Sequence, residues 1–204
     1  AAGAVVVRSV PGARASTGEL LDAVRATGRD HVLLLPNDPD TVMTAEAAAG
    51  AVSEHAGVRV HVVPSQSPVQ ALAALALLDE RLAQDADEAV AVLREAVRAT
   101  RRGSVTRAVR DSDTPAGPCR AGDALGLVDG QVVVAHPDRL QAAREVLASL
   151  VSGDVELLTI VVGAEGDRGS LRPLLAELAD RGHGPEVHWV DGGQPGYPWL
   201  FGAE

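Results

Sequence analysis

Two strand-turn-helix units in tandem constrain this chain more than any other feature. The first is Leu33-Leu34-Leu35-Pro36-Asn37-Asp38-Pro39-Asp40-Thr41-Val42-Met43-Thr44-Ala45-Glu46. It reads as a buried strand, a polar turn carrying two prolines, and the start of an alanine-rich helix. The second is Val60-His61-Val62-Val63-Pro64-Ser65-Gln66-Ser67-Pro68-Val69-Gln70. Repetition of this grammar predicts a parallel sheet with right-handed crossovers. Such a sheet gathers its strand-to-helix turns on one edge, where ligands usually bind.

The flanking stretches extend the pattern. Residues 4–8, Ala-Val-Val-Val-Arg, are short, apolar and β-branched, and predict a buried strand. Val10 to Ala15 reads as a turn. Ser16 and Glu19 have capping-box spacing, and a helix with Leu20, Leu21 and Val24 inward should close near Gly28. His31 to Leu35 is the next strand. A helix from Thr41 to about His55 follows, ended by Gly57, and then a strand over Arg59 to Val63. Ser67 and Gln70 repeat the capping-box spacing with Pro68 at the first helical position, for a helix running to Leu78. Asp85 and Glu88 repeat it again, opening a helix with the stripe Val90, Leu93, Val97 that stops before Gly103.

After Gly103 the grammar changes, which divides the chain into a parallel α/β domain over residues 1–102 and a mixed α+β domain over 103–204. Ser104 to Arg110 alternates like a strand, and Asp113 to Pro118 reads as a loop. Asp129-Gly130 between two apolar runs predicts a tight hairpin. His136-Pro137-Asp138 opens a helix with Leu140, Ala143, Val146, Leu147 and Leu150 on one face. Val155 to Val162 is a buried strand, Ser170 to Arg181 a helix ended by Gly182, and Glu186 to Val190 a strand. Trp199-Leu200-Phe201 is a short final one.

Composition narrows the function classes. Hydrophobic residues make up 46% of the 204 and aromatics 2%, so the core must be aliphatic. The net charge of −10 argues against a nucleic-acid partner, which needs a basic face. All 18 basic side chains are arginine, which reads as composition bias rather than as designed guanidinium sites. The one cysteine, Cys119, excludes an internal disulfide and a multi-cysteine zinc site. No apolar run reaches the roughly 18 to 20 residues of a membrane span. No signal peptide is recognisable, and a cytoplasmic location is expected. The chain enters a strand almost at once and reads as a piece of a longer protein.

The turn edge of the first domain supplies the candidate ligand-binding residues: Ser16, Thr17, Asn37, Ser65 and Ser67. Helix N-termini with free amides and hydroxyls suit a carboxylate or phosphate. The same residues serve equally as helix caps and turn formers. Asp38 and Asp40 would repel an anion unless a metal or an arginine intervenes. Asp111-Ser112-Asp113 has the look of a carboxylate pair, but Asp at turn positions is the commoner reason for such a triplet. The histidines, His31, His55, His61, His136, His183 and His188, lack the i, i+4 spacing of a helical zinc pair and read as structural or surface residues, so no metal site is expected. Gly163 to Ser170 follows a strand and opens a helix, yet lacks a P-loop lysine and a G-x-G-x-x-G. No G-x-S-x-G elbow occurs, so no catalytic residue is assigned. Tyr197, Trp199 and Phe201 bring three of the four aromatic residues together, either to close the small domain or to form a partner or dimer surface.

Taken in order, Leu33 to Asp38, Ala45-Glu46, Val62 to Ser65, Val69 to Leu75, Gly103 to Asp111, Gly122 to Gly130 and Gly192 to Pro198 resemble one known group over nearly the whole chain. It is the C-terminal region of the catalytic subunit of fatty acid kinase, a group also called dihydroxyacetone-kinase-related or DAK-phosphatase-like. The resemblance implies a DegV-like fold, a parallel-sheet α/β domain packed on a smaller mixed α+β domain. It implies one more strand and helix than precede Val5. It also implies a parent phosphotransferase of lipid metabolism whose separate kinase domain binds ATP and magnesium, with no cofactor in this part. The parent would phosphorylate a fatty acid held by a DegV-like carrier protein, giving acyl phosphate. This domain, not catalytic alone, would dock that carrier or form a homodimer. A second reading is a small-ligand module whose hydroxyls hold a carboxylate or phosphate. A third, a hydrolase, has no nucleophile or metal set to support it.

Overall fold

The computed structural model describes residues 4–8, 14–53, 57–152, 154–180 and 184–204. His55, residues 10–13 of the expected turn, and the expected helix end at Arg181 and Gly182, with His183, lie outside the described residues. The chain forms two units, Ala1–Ala99 and Thr100–Glu204.

In the first unit, α1 (Thr17–Thr27) starts as its sequence requires. Ser16 and Glu19 exchange side-chain and backbone hydrogen bonds, and Gly28, left-handed at φ 59°, closes the helix. β1 (His31–Leu34) then pairs in parallel with β2 (Arg59–Val62), His31 opposite Arg59 and Leu34 opposite Val62. The crossover is α2 (Pro39–Ser53), which begins two residues earlier than the periodicity indicates. α3 (Pro68–Ala76) and α4 (Ala86–Ala99) follow, separated by a short 3-10 turn, Leu82–Gln84. Leu34 and Val62 pack with Leu20 of α1 and Ala45 and Ala48 of α2. Leu33, Leu35 and Val63 pack on the opposite side with Ala74, Leu93 and Val97. The small alanines of α2 let this helix lie close to a sheet with no aromatic filling.

Three expectations are corrected in this unit. Residues 4–8 are not a strand. Val7 packs against the α1–α2 cluster, but Val5 and Val6 are 51% and 77% exposed. An apolar run becomes a strand only where a ladder partner exists, and among the described residues β1 pairs with β2 alone. The second correction concerns α3, which ends at Ala76 rather than Leu78. The third concerns its cap: Ser67 makes no side-chain cap bond there. Gln70 Oε1 instead accepts the Gln66 amide at 2.8 Å, and Gln70 Nε2 donates to the Val97 carbonyl at 2.9 Å. The glutamine expected to close a capping box ties α3 to α4.

The second unit holds β3 (Arg101–Arg107), β6 (Ala124–Val128), β7 (Gln131–His136), β8 (Leu157–Val162), β9 (Glu186–Asp191) and β10 (Trp199–Ala203) in one sheet. Their order is β7-β6-β3-β10-β8-β9. Two helices, α5 (Arg139–Leu150) and α6 (Arg168–Asp180), cover one face. The Asp129-Gly130 turn has φ of 50° and 85°, the positive pair that a two-residue hairpin demands. The stretch expected to be a loop forms a small hairpin instead, β4 (Ser112–Thr114) with β5 (Gly117–Cys119). Its strands of three residues are too short to show a period. Gly103 has its own reason: a Cβ there would lie 2.5 Å from Leu150 Cδ1 and 2.7 Å from Val146 Cγ1, so α5 would have to lift off β3.

β10 is central, not peripheral. It pairs antiparallel with β3 on one side and with β8 on the other, and all five of its residues are buried. Trp199 and Phe201 are fully enclosed, so neither forms a partner surface; Tyr197 is 39% exposed.

Candidate functional site

The turn edge of the first unit lies where β1 and β2 run out into α2 and α3. Asn37 follows β1 in the left-handed region, at φ 63°, which asparagine tolerates better than most side chains. That conformation turns its amide toward the fully buried Ser65, which follows β2. The Asn37 N–H donates to Ser65 Oγ at 3.1 Å, and the hydroxyl donates back to Asn37 Oδ1 at 2.8 Å. Two of the candidate residues, 28 positions apart, are thus each other's partners.

Ser16 stands differently. Its Oγ accepts from the Glu19 amide at 3.3 Å and donates to Glu19 Oε2 at 2.8 Å, and that oxygen also takes the Ser16 amide. The backbone and hydroxyl bonds from Ser16 hold the Glu19 carboxyl below its ordinary value. The N-terminus of α1 therefore already holds an anion of the chain itself. Thr17 is the first residue of α1 and half-buried. Ser67 is buried at the N-cap of α3 with its hydroxyl outside the cap.

Asp38 and Asp40 do meet an arginine. Arg14 pairs with Asp40, and its Nε lies 3.7 Å from Asp38 Oδ2. Asp38 Oδ1 also takes the Asp40 amide at 2.8 Å. The start of α2 is thereby fastened to Arg14, two residues before the N-cap of α1. The residue that sequence reasoning missed is Thr41, in the first turn of α2. It is 4% exposed, and its Oγ1 has no hydrogen-bond partner among the described residues. A threonine in a first helical turn gives no signal of this, since only packing decides whether its hydroxyl reaches water.

A groove of about 480 Å³ runs along the outer edge of β2, lined by Glu46, Ala49, Val60, His61, Val62, Pro64 and Arg94. Arg94 closes part of that edge by donating Nε and Nη2 to the Val62 carbonyl at 3.2 and 2.9 Å.

The other motifs resolve into architecture. Asp111 Oδ1 takes the Ala121 amide at 2.8 Å. Asp167 caps α6 through the amide and hydroxyl of Ser170, bonds that depress its carboxyl pKa. The Gly163 loop is pressed on the segment before β10. Gly163 N–H donates to Pro198 O at 2.9 Å and Ala164 N–H to Gln194 O at 3.0 Å. A Cβ on Gly163 would lie 2.1 Å from Tyr197 O, so only glycine fits. Among the described residues no three metal-ligating side chains converge, and no helix is long and apolar enough to cross a membrane.

A family model for the C-terminal domain of FakA-like fatty acid kinase proteins matches residues 1–204. Protein YloV of Bacillus subtilis is 30% identical over 189 residues, covering 93% of this chain and 33% of that protein. An uncharacterized protein of Staphylococcus saprophyticus is 28% identical with the same coverage. The chain thus spans about a third of the length of the curated relatives it matches.

Among solved structures, a DegV family protein from Corynebacterium glutamicum superposes with TM-score 0.62 at 17% identity, over 93% of this chain and 82% of that one. A fatty-acid-binding DegV family protein from Thermus thermophilus gives 0.61 at 20% identity, over 94% and 78%. The fatty acid kinase B3 protein of Streptococcus pneumoniae, loaded with linoleic acid, gives 0.65 at 13% identity, over 93% and 76%. At these identities the likeness concerns the fold, which is DegV-like. With the family model matched from end to end, the chain belongs to the FakA-like C-terminal family of fatty acid kinase proteins.

Proposed function

We propose that this chain is the non-catalytic C-terminal domain of a cytoplasmic, dihydroxyacetone-kinase-like fatty acid kinase, and that it docks the fatty-acid-carrying DegV-like protein or pairs protomers while acyl phosphate is made. ATP and magnesium would belong to a separate kinase domain of the parent protein. The observation that carries the reading is the mutual engagement of the turn-edge groups. Asn37 and Ser65 satisfy each other, Ser16 holds Glu19, and Arg14 holds Asp38 and Asp40. An incoming carboxylate would have to displace these bonds, and it would meet three carboxylates of the chain itself.

Calorimetric titration of the chain with a fatty-acid-loaded DegV-like carrier should give saturable binding, or sedimentation should show a dimer. ATP turnover by the isolated chain with fatty acid and carrier would sink the reading, as would a chain that neither binds the carrier nor dimerises.

The alternative, a small-ligand module for a fatty acid or phosphate, draws on two observations. The buried Thr41 hydroxyl lacks a partner among the described residues, and the Ser67 hydroxyl makes no cap bond. Native mass spectrometry of protein purified from cells separates the two readings, since the module would retain a ligand of about one per chain.

A further inference from the structure

His31 and His61 are 30 residues apart, and the parallel register of β1 and β2 brings them together. Leu33 lies opposite His61, so His31 stands one diagonal step away on the same side of the sheet. His31 Nδ1 and His61 Nε2 are 3.3 Å apart. The ring planes are within 12° of parallel, with centres 5.5 Å apart. The centre separation exceeds the nitrogen separation by about two ring radii. The two nitrogens therefore sit between the rings, head to head, rather than in a face-to-face stack. In this arrangement one nitrogen carries a proton and the other offers a lone pair.

We propose that His31 Nδ1 and His61 Nε2 form a two-histidine site for a divalent transition-metal ion of the zinc class, water filling the remaining positions. Imidazole nitrogens sit about 2.0–2.1 Å from zinc, and two of them on a tetrahedral ion lie about 3.3 Å apart. The pair already has that spacing, so binding needs only a tilt of the two rings and a tautomer change, by exchange with solvent, that moves the shared proton to the far nitrogen of its own ring. The strands hold both Cα positions, so little ordering remains to be done on binding.

The charged surroundings are mixed. Asp87, near the start of α4, favours positive charge at His61, while Arg59 of β2 and Arg94 of α4 oppose it. Asp87 acts on His61 more strongly than either arginine. Burial and His31 both favour the neutral form of the His61 ring, which is the form that ligates.

The test uses the tag-free, metal-stripped 204-residue chain titrated with Zn2+, with histidine ring resonances followed by NMR and affinity by calorimetry. Both the His31 and His61 rings should shift at one equivalent. Loss of a mere supporting partner of a ligand costs such sites about tenfold in affinity, so His31→Ala and His61→Ala should each weaken this site at least that much. Asp87→Asn should weaken it less. Circular dichroism checks that the variants fold. If one does not, the ring shifts of the wild-type protein decide alone. The proposal is overturned if these two rings do not shift, or if folded variants keep the wild-type affinity.

Discussion

Ser65 Oγ accepts the Asn37 amide at 3.1 Å and donates to Asn37 Oδ1 at 2.8 Å, so one buried hydroxyl locks a left-handed residue from both ends. Replacing Ser65 with alanine removes both bonds and leaves the Asn37 amide unpaired. The expected loss is about 1–3 kcal/mol, read as a lowered midpoint in urea unfolding. An unchanged midpoint would mean that water takes over both bonds.

Thr41 should behave in the opposite sense. Its Oγ1 is buried without a partner among the described residues, and valine has nearly the same shape. Thr41→Val should be neutral or stabilising by up to about 1 kcal/mol, as expected when an unsatisfied buried hydroxyl is removed. A clear drop in thermal midpoint would show that the hydroxyl is bonded in solution. Loss of a co-purifying ligand would favour the ligand-module reading instead.

Glu19 gives a pH dependence with a defined sign. Bonds from the Ser16 backbone and hydroxyl lower its folded pKa below the ordinary 4.5. Its stabilising effect is therefore complete above 4.5 and is lost as pH falls through the lowered folded value. Glu19→Gln should lower the thermal midpoint at neutral pH and approach the wild type in acid. A difference that stays constant with pH would contradict the carboxylate's role.

Phe201 lies fully enclosed in β10. Phe201→Ala should cost about 3–5 kcal/mol, as such truncations do in cores. Tyr197→Ala, at an exposed ring, should change the unfolding midpoint far less. Equal effects would contradict the burial difference between the two.

The parts of the fold that are legible in the sequence are those set by neighbours in the chain. Ser16 and Glu19, three residues apart, announce α1. Val90, Leu93 and Val97 mark the inner face of α4, and Asp129-Gly130 marks its hairpin. What is not legible depends on partners far away. Residues 4–8 have a strand's composition but no ladder, and Trp199 to Phe201 give no sign that β10 will lie between β3 and β8. Gln70 has the spacing of a local capping box, yet its amide finds Val97, 27 residues on.

The candidate site divides along the same line. Its residue types and the turns that carry them follow from the repeated grammar. That Asn37 meets Ser65, and Arg14 the two aspartates, depends on the crossing of segments that sequence leaves open. His31 and His61 look scattered along the chain because nothing local reports a parallel register.

The position of β10 has a consequence for synthesis on the ribosome. β3, β6 and β7 can pair as they emerge, and so can β8 and β9, but β10, translated after all of them, joins the two groups. Until then β3 and β8 each present an unpaired edge, a ready template for another nascent chain. The second unit should accordingly close late and at once. Stalling translation before Trp199 would leave two sticky half-sheets, the natural clients of a chaperone.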